Sequence, residues 1–250
     1  MPGANLSHAG TSARLVYVGH ATVLIELDGV RLLTDPVLRR RVAHLHRQSA
    51  VDVAGPESVD AVLISHVHHD HLDRASLRLL GREVTVVVPR GARRLLRRFT
   101  DVHELGVGDE IEICGVRIRA TPAEHGGPRR TLRPIPALGF LVSGSRSVYF
   151  AGDTDLFPAM SGLADPLDVA LLPIAGWGRR LGPGHLDPQR AAEALRLLRP
   201  RLAVPIHWGT LSPPWRRAST EPPESFRRLA AELAPTVEVR VLAPGSATSF

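Results

Sequence analysis

Ala61-Val62-Leu63-Ile64 followed by Ser65-His66-Val67-His68-His69-Asp70-His71 is the stretch on which the reading of this 250-residue chain turns. A continuous aliphatic run bounded by polar residues reads as a buried strand. It delivers four of the chain's twelve histidines and one carboxylate to its own carboxyl end. In an extended or tightly turning segment alternate residues face one way, so His66, His68 and Asp70 are expected to converge while His71 enters from the start of the next helix. Imidazole nitrogen and carboxylate oxygen are the usual donors to zinc and its neighbours, and a catalytic ion keeps one position open.

A single cluster of this kind cannot complete two metal shells. Three further residues repeat the pattern of strand followed by ligand: His125 after Val116 to Thr121, Asp153 after Ser147 to Ala151, and His207 after Leu202 to Ile206.

His66 to His71 carries the H-x-H-x-D-H signature, and on it the chain resembles the metallo-β-lactamase superfamily of metal-dependent hydrolases. Gly19-His20-Ala21-Thr22, Leu33-Thr34-Asp35-Pro36, Thr121-Pro122-Ala123-x-His125, Gly152-Asp153-Thr154, His185-Leu186-Asp187-Pro188 and Ile206-His207-Trp208-Gly209-Thr210 narrow the resemblance to one branch. That branch holds the N-acyl-phosphatidylethanolamine phospholipase D-like enzymes and the ascorbate-phosphate lactonase-like proteins. The resemblance runs from about Arg14 to about Ala231. It implies an α/β fold, a four-layer αβ/βα sandwich of two facing mixed sheets with helices outside. The residues alone reach only a layered α/β architecture.

By the same resemblance His66, His68 and His125 bind one metal, Asp70, His71 and His207 bind the other, and Asp153 bridges both. The implied cofactors are two divalent ions, Zn2+ foremost with Mn2+ or Fe2+ as alternatives. The implied reaction is attack by a bridging hydroxide on a phosphodiester of phospholipid type or on a lactone carbonyl. Asp70 would also orient the hydroxide, and His185, after Gly182-Pro183-Gly184, is the non-ligand candidate for protonating the leaving oxygen. Asp35 is the expected outer partner of a ligand imidazole. His20 divides evenly between a structural and a functional role. His69 fills a variable slot, where lipid-acting relatives often carry an aromatic ring. His44 and His46 are read as loop residues and not as ligands. Trp208 is expected to pack against a ligand, with Trp177 and Trp215 near the mouth. A nuclease on the same scaffold is one alternative, and it would need a basic track leading to the metals. A di-iron redox protein is another; its relatives replace the second histidine by Glu and attach a flavin domain, whereas His68 is present here.

Composition fits one globular chain, with 44% hydrophobic residues. The net charge of +6 would ordinarily suggest anionic partners. Yet all 31 basic residues are Arg and none is Lys, a chain-wide bias that weakens the inference. A small anionic or lipid-like substrate is therefore expected ahead of nucleic acid. Residues 1–13 read as a flexible polar segment without a signal-peptide pattern, and 14–250 as one hydrolase domain. No apolar run is long enough to span a bilayer, so a cytoplasmic protein is expected. Cys114, the single cysteine, is assigned to core packing.

Strands are expected at Leu15 to Val18, Val23 to Leu27 and Val30 to Leu33, with Asp28-Gly29 as a hairpin turn. Asp60 to Ser65, Val84 to Val88, Glu110 to Ile113, Val116 to Thr121, Ala137 to Val142, Ser147 to Ala151 and Val169 to Leu172 follow. Asp35 to Pro56 shows no regular pattern. Helices are expected at Asp73 to Leu80, Pro188 to Leu198 and Glu224 to Leu233, and Arg90 to Phe99 has a helical apolar side decorated by arginines.

Overall fold

The aliphatic run at Ala61–Leu63 is a fully buried strand with a parallel neighbour on either side. The computed structural model describes residues 13–49, 59–126, 134–175 and 181–250. Its first half contains β1 (Arg14–Gly19), β2 (Thr22–Leu27), β3 (Val30–Thr34), β4 (Arg41–Val42), β5 (Leu45–Arg47), β6 (Ala61–Leu63), α1 (Arg74–Leu79), β7 (Thr85–Pro89) and β8 (Val102–Leu105). A meander follows, β9 (Glu110–Ile113), β10 (Val116–Pro122), β11 (Leu138–Ser143) and β12 (Ser147–Phe150). Then come β13 (Val169–Pro173), α2 (Pro188–Leu198), β14 (Leu202–Ile206), β15 (Leu211–Ser212), α3 (Glu221–Leu233), β16 (Glu238–Val239) and β17 (Ala247–Ser249).

Two seven-stranded mixed sheets form, in the orders β17-β1-β2-β3-β6-β7-β8 and β16-β14-β13-β12-β11-β10-β9. Each follows one plan, an antiparallel meander continued by parallel strands. The meander needs only tight turns, and the parallel steps need crossovers. Asp28 and Gly29, at φ +53° and +83°, make the first hairpin turn as the Asp-Gly pair requires.

Alternation along the parallel strands of the first sheet sends successive side chains to different cores. Leu32, Ala61, Leu63 and Val87 join the core shared with Phe140, Val142 and Phe150 of the second sheet. Leu33, Val62, Ile64, Val86 and Val88 face the other way, toward Leu77 of α1 and Leu96. The shared core continues into Ala191 and Leu195 of α2 and Phe226 of α3. The chain is thus an α/β sandwich, two sheets packed face to face with helices on the outer sides.

Four expectations need correction. The stretch after Asp35 is not wholly irregular, because β4 and β5 form a small sheet with β15. Arg90 to Phe99 holds only a short 3-10 turn at Arg93–Leu95, since Pro89 and Gly91 leave no room for a full amphipathic helix. The helix α3 starts at Glu221, three residues ahead of the expected Glu224, because Pro222 and Pro223 sit in a first turn that needs no N–H from them. Cys114 is exposed and at φ +49° forms the β9–β10 turn with Gly115; it is not a core residue. The strands β8, β16 and β17 had no expected counterpart, and their pairing partners lie far away in sequence or carry weak alternation. Residues 1–12, Val51 to Pro56, Arg129, Arg130, Arg133 and Trp177 lie outside the described residues.

Candidate metal centre

Every residue expected at the centre follows a strand end, and the two sheets bring those ends together. After β6 the chain stays extended through Ser65 and then curls, with the His71 and Leu72 amides both donating to the His68 carbonyl at 3.0 and 2.8 Å. That turn separates what simple alternation would have grouped. His66 and His68 gather with His125, whereas Asp70 and His71 gather with His207 and His20. Asp153 comes within 3.3 Å of both His71 Nε2 and His207 Nε2 and 3.9 Å of His66 Nε2, so it stands between the two groups.

The loops are locked to one another. Gly152, at φ +60°, lets the Asp153 loop approach Ser65 so closely that a Cβ there would lie 2.6 Å from the Ser65 Cβ. Gly184 likewise lies against Gly126, and its carbonyl accepts from His125 Nδ1 at 2.8 Å. Glu124 N–H donates to Thr154 Oγ1 at 2.9 Å and its carbonyl accepts from the Asp155 amide at 2.8 Å. His207 N–H donates to the His20 carbonyl at 2.7 Å, tying β14 to the β1–β2 connection. His20, Asp35 and His207 all have positive φ, at +59°, +34° and +64°. Such conformations are costly for non-glycine residues and collect at functional sites.

The outer hydrogen bonds determine which ring nitrogens face inward. Asp35 accepts from Ser65 N–H at 2.7 Å and Ser65 Oγ at 2.5 Å, and lies 2.7 Å from His71 Nδ1. His207 Nδ1 donates to the Ala175 carbonyl at 2.7 Å. With both Nδ1 atoms engaged, the Nε2 atoms of His71 and His207 face each other at 3.2 Å. His125 Nε2 faces His68 Nδ1 at 3.1 Å, and His66 Nε2 faces the same His68 atom at 2.9 Å. Among the described residues Asp153 Oδ1 is buried with no hydrogen-bond partner. Converging ring nitrogens and such a carboxylate oxygen are what a cation satisfies, so these residues fit a metal centre.

The titration pattern carries the same message. Burial would raise the Asp153 and Asp70 carboxyls, yet the surrounding imidazoles, His207 and His71 for Asp153, and His71 and His20 for Asp70, hold both well below the ordinary range. Burial would lower His71, but Asp153, Asp35 and Asp70 hold it well above. The carboxylates demand positive charge in a largely buried space. Burial and the neighbouring His207 push His20 down to about 3, so it is neutral and donates from Nε2 to Asp70 Oδ2 at 3.1 Å.

His185 lies at the edge of the group, about a quarter exposed, with Nε2 3.6 Å from Asp153 Oδ2 and Nδ1 held by the Gly182 carbonyl at 3.0 Å. Trp208 packs on Tyr17 and donates to the Pro205 carbonyl, while Trp215 is 80% exposed. Among the described residues His44 and His46 enter no metal-ligating group, and His69 faces solvent. The partnership of His20 with Asp70 had no local signal, because it depends on the β1–β2 bulge at Tyr17 to Gly19.

This fold and this histidine-carboxylate centre define a metal-dependent hydrolase. The chain belongs to the metallo-β-lactamase superfamily: residues 30–208 match the family model described as "Beta-lactamase superfamily domain". It is 35% identical to a UPF0173 metal-dependent hydrolase of Methanopyrus kandleri over 246 residues, covering 93% of this chain and 97% of that protein. It is 28% identical to the N-acyl-phosphatidylethanolamine-hydrolyzing phospholipase D 1 of Caenorhabditis elegans, covering 89% of this chain and 71% of that one. Among solved structures it is similar to Igni18, a metallo hydrolase of Ignicoccus hospitalis, with a TM-score of 0.75, 28% identity, and 96% and 99% of the two chains covered.

Proposed function

We propose that the chain hydrolyses a phosphodiester of phospholipid type, or a lactone, with two divalent cations, zinc foremost and manganese or iron as alternatives. The observation that carries this reading is the approach of the His71 and His207 Nε2 atoms to 3.2 Å beside an Asp153 oxygen that has no hydrogen-bond partner among the described residues. In this reading His66, His68 and His125 hold one cation, Asp70, His71 and His207 the other, and Asp153 lies between them. The pair of cations supplies Lewis acidity, which makes water reactive near neutral pH and stabilises charge on the substrate oxygens. Asp70 also orients the attacking water, and His20 keeps that carboxylate from rotating. Asp35, Ala175 and Gly184 hold His71, His207 and His125 in the tautomers that leave a lone pair facing inward. His185 delivers a proton to the leaving oxygen.

Charge supports an ester that is itself anionic. Two divalent cations outweigh the two carboxylates Asp70 and Asp153 together with one hydroxide, so the centre favours a phosphodiester over a neutral amide. The phospholipase D name of the Caenorhabditis elegans relative supports the same class. Metal analysis of protein purified without chelator, followed by chromogenic phosphodiesters, phosphomonoesters and lactones, tests the reading. Turnover of none of them by the metal-loaded protein would reject it. His185→Gln is expected to lower kcat about a hundredfold for an alkyl leaving group, which needs a proton. A nitrophenyl leaving group needs none, and its kcat should change little. Equal losses for both substrates would exclude the proton-donor role.

A second reading is favoured by one surface. Arg74, Arg78, Arg94, Arg97 and Arg98 line a groove together with His69, a residue of the metal-site loop. None of the five has an ion-pair partner among the described residues; Asp73, in the same groove, is engaged by Arg39 at 2.7 and 2.8 Å. Such a groove suits a nucleic-acid backbone. A nuclease would bind labelled single-stranded DNA or RNA with an affinity that falls steeply with salt, and Arg94→Gln/Arg97→Gln would flatten that dependence by roughly one to two units of slope. Salt-independent binding would remove this reading.

A further inference from the structure

A cavity of about 520 Å³ adjoins the candidate metal centre, its lining including His20 and His207 as well as Arg216 and Arg217. Ile174 and Leu211 supply apolar wall. The size suits a small molecule, and its mixed lining suits one with an apolar body and a charged end.

Arg216 is the distinctive feature. Its backbone is fixed at both ends of the peptide unit: the N–H donates to the Pro213 carbonyl at 3.0 Å, and its own carbonyl accepts from Ser212 Oγ at 2.7 Å. Ser212 belongs to β15, which is paired with β5, so the residue hangs from a sheet and not from a free loop. The side chain is half-buried, and neither Arg216 nor Arg217 forms an ion pair with a described residue. Of the two acids in the lining, Asp187 is engaged in capping α2, accepting from Arg190 N–H at 2.8 Å. Glu221 sits at the N-terminal turn of α3, where the helix dipole already favours its charge. A half-buried guanidinium facing a cavity without a committed carboxylate is a fork ready for an anion.

We propose that this cavity is a subsite for a second anionic group of the substrate, a carboxylate or phosphate carried at a distance from the bond that is cut. Arg216 grips that group and Arg217 guards the rim. The assignment rests on the hydrolase reading for what occupies the metal end, and it adds a substrate class: doubly anionic esters with a short apolar link between the two charges.

Calorimetric titration of the metal-loaded protein with a series of ω-carboxyalkylphosphonates, and with their carboxyl methyl esters, tests it. The phosphonate engages the metal end in both series, and only the first presents a carboxylate to Arg216. At the best chain length the free acid is expected to bind about tenfold more tightly than its ester. Arg216→Gln should erase that difference while leaving the ester's affinity unchanged, and Arg216→Lys should restore part of it. No preference for the acid at any chain length, or a preference that survives in Arg216→Gln/Arg217→Gln, would overturn the proposal. Failure of the chromogenic substrates with the acid preference intact would overturn the reaction and leave the subsite standing. Hydrolysis without any acid preference would do the reverse. Because the Arg216 and Arg217 side chains form no hydrogen bond or ion pair with a described residue, unchanged Tm in the variants separates a binding effect from a folding one.

Discussion

Asp153→Asn is expected to leave a folded protein that retains less than its full metal complement, with kcat/KM reduced on the order of a thousandfold. The substitution preserves size and hydrogen-bonding shape but removes the one carboxylate that stands within 3.3 Å of both His71 and His207. Its Oδ1 has no hydrogen-bond partner among the described residues, so the carboxylate contributes little to the fold apart from what a cation would return. An amide there turns an N–H toward an imidazole lone pair and closes the space a cation needs. Elemental analysis beside steady-state kinetics checks the result. An Asn variant with full metal content and undiminished turnover would show that Asp153 has no part in the chemistry.

Removal of metal by a chelator should lower the Tm by roughly 10 to 15 °C. Saturation of a tight site contributes about 4 kcal/mol when ligand exceeds Kd a thousandfold, and each kcal/mol moves a chain of this size by about 2–4 °C. The direction follows from burial. Asp35 and Asp153 are enclosed with the largely buried Asp70 beside them, and without a cation their repulsion is relieved by the proton they hold on His71. Thermal unfolding followed with and without chelator, with zinc added back, measures this. A Tm indifferent to chelator in protein that demonstrably loses metal would mean that the cations are not integral to the folded state.

The strands and helices that bear the site were readable because their signals are local. An aliphatic run ending in Ser65, the Asp-Gly turn at residues 28 and 29, and the Asp187-Pro188 helix start each depend on immediate neighbours. Cys114 was misread although its signal was present: Cys114-Gly115 between two alternating strands is the same kind of hairpin turn as Asp28-Gly29. His20 is a different matter. Its ring reaches Asp70 only because a bulge shifts the β1–β2 register and because Thr210 Oγ1, 190 residues away, accepts its amide proton. Long-range pairings of that sort leave no pattern along the chain, and the same holds for β17 against β1. The helical reading of Arg90 to Phe99 failed because apolar spacing over so few residues is compatible with a loop that merely covers the sheet.

Each of the two histidine groups draws on both halves of the polypeptide: His66 and His68 meet His125, and Asp70 and His71 meet His207. A cation in either group would act as a clasp between the sheets, so neither half alone contains a whole coordination sphere. The chain could therefore be severed in the Gly106-Val107-Gly108 turn between β8 and β9 and its fragments mixed, and the metal would decide whether they rejoin.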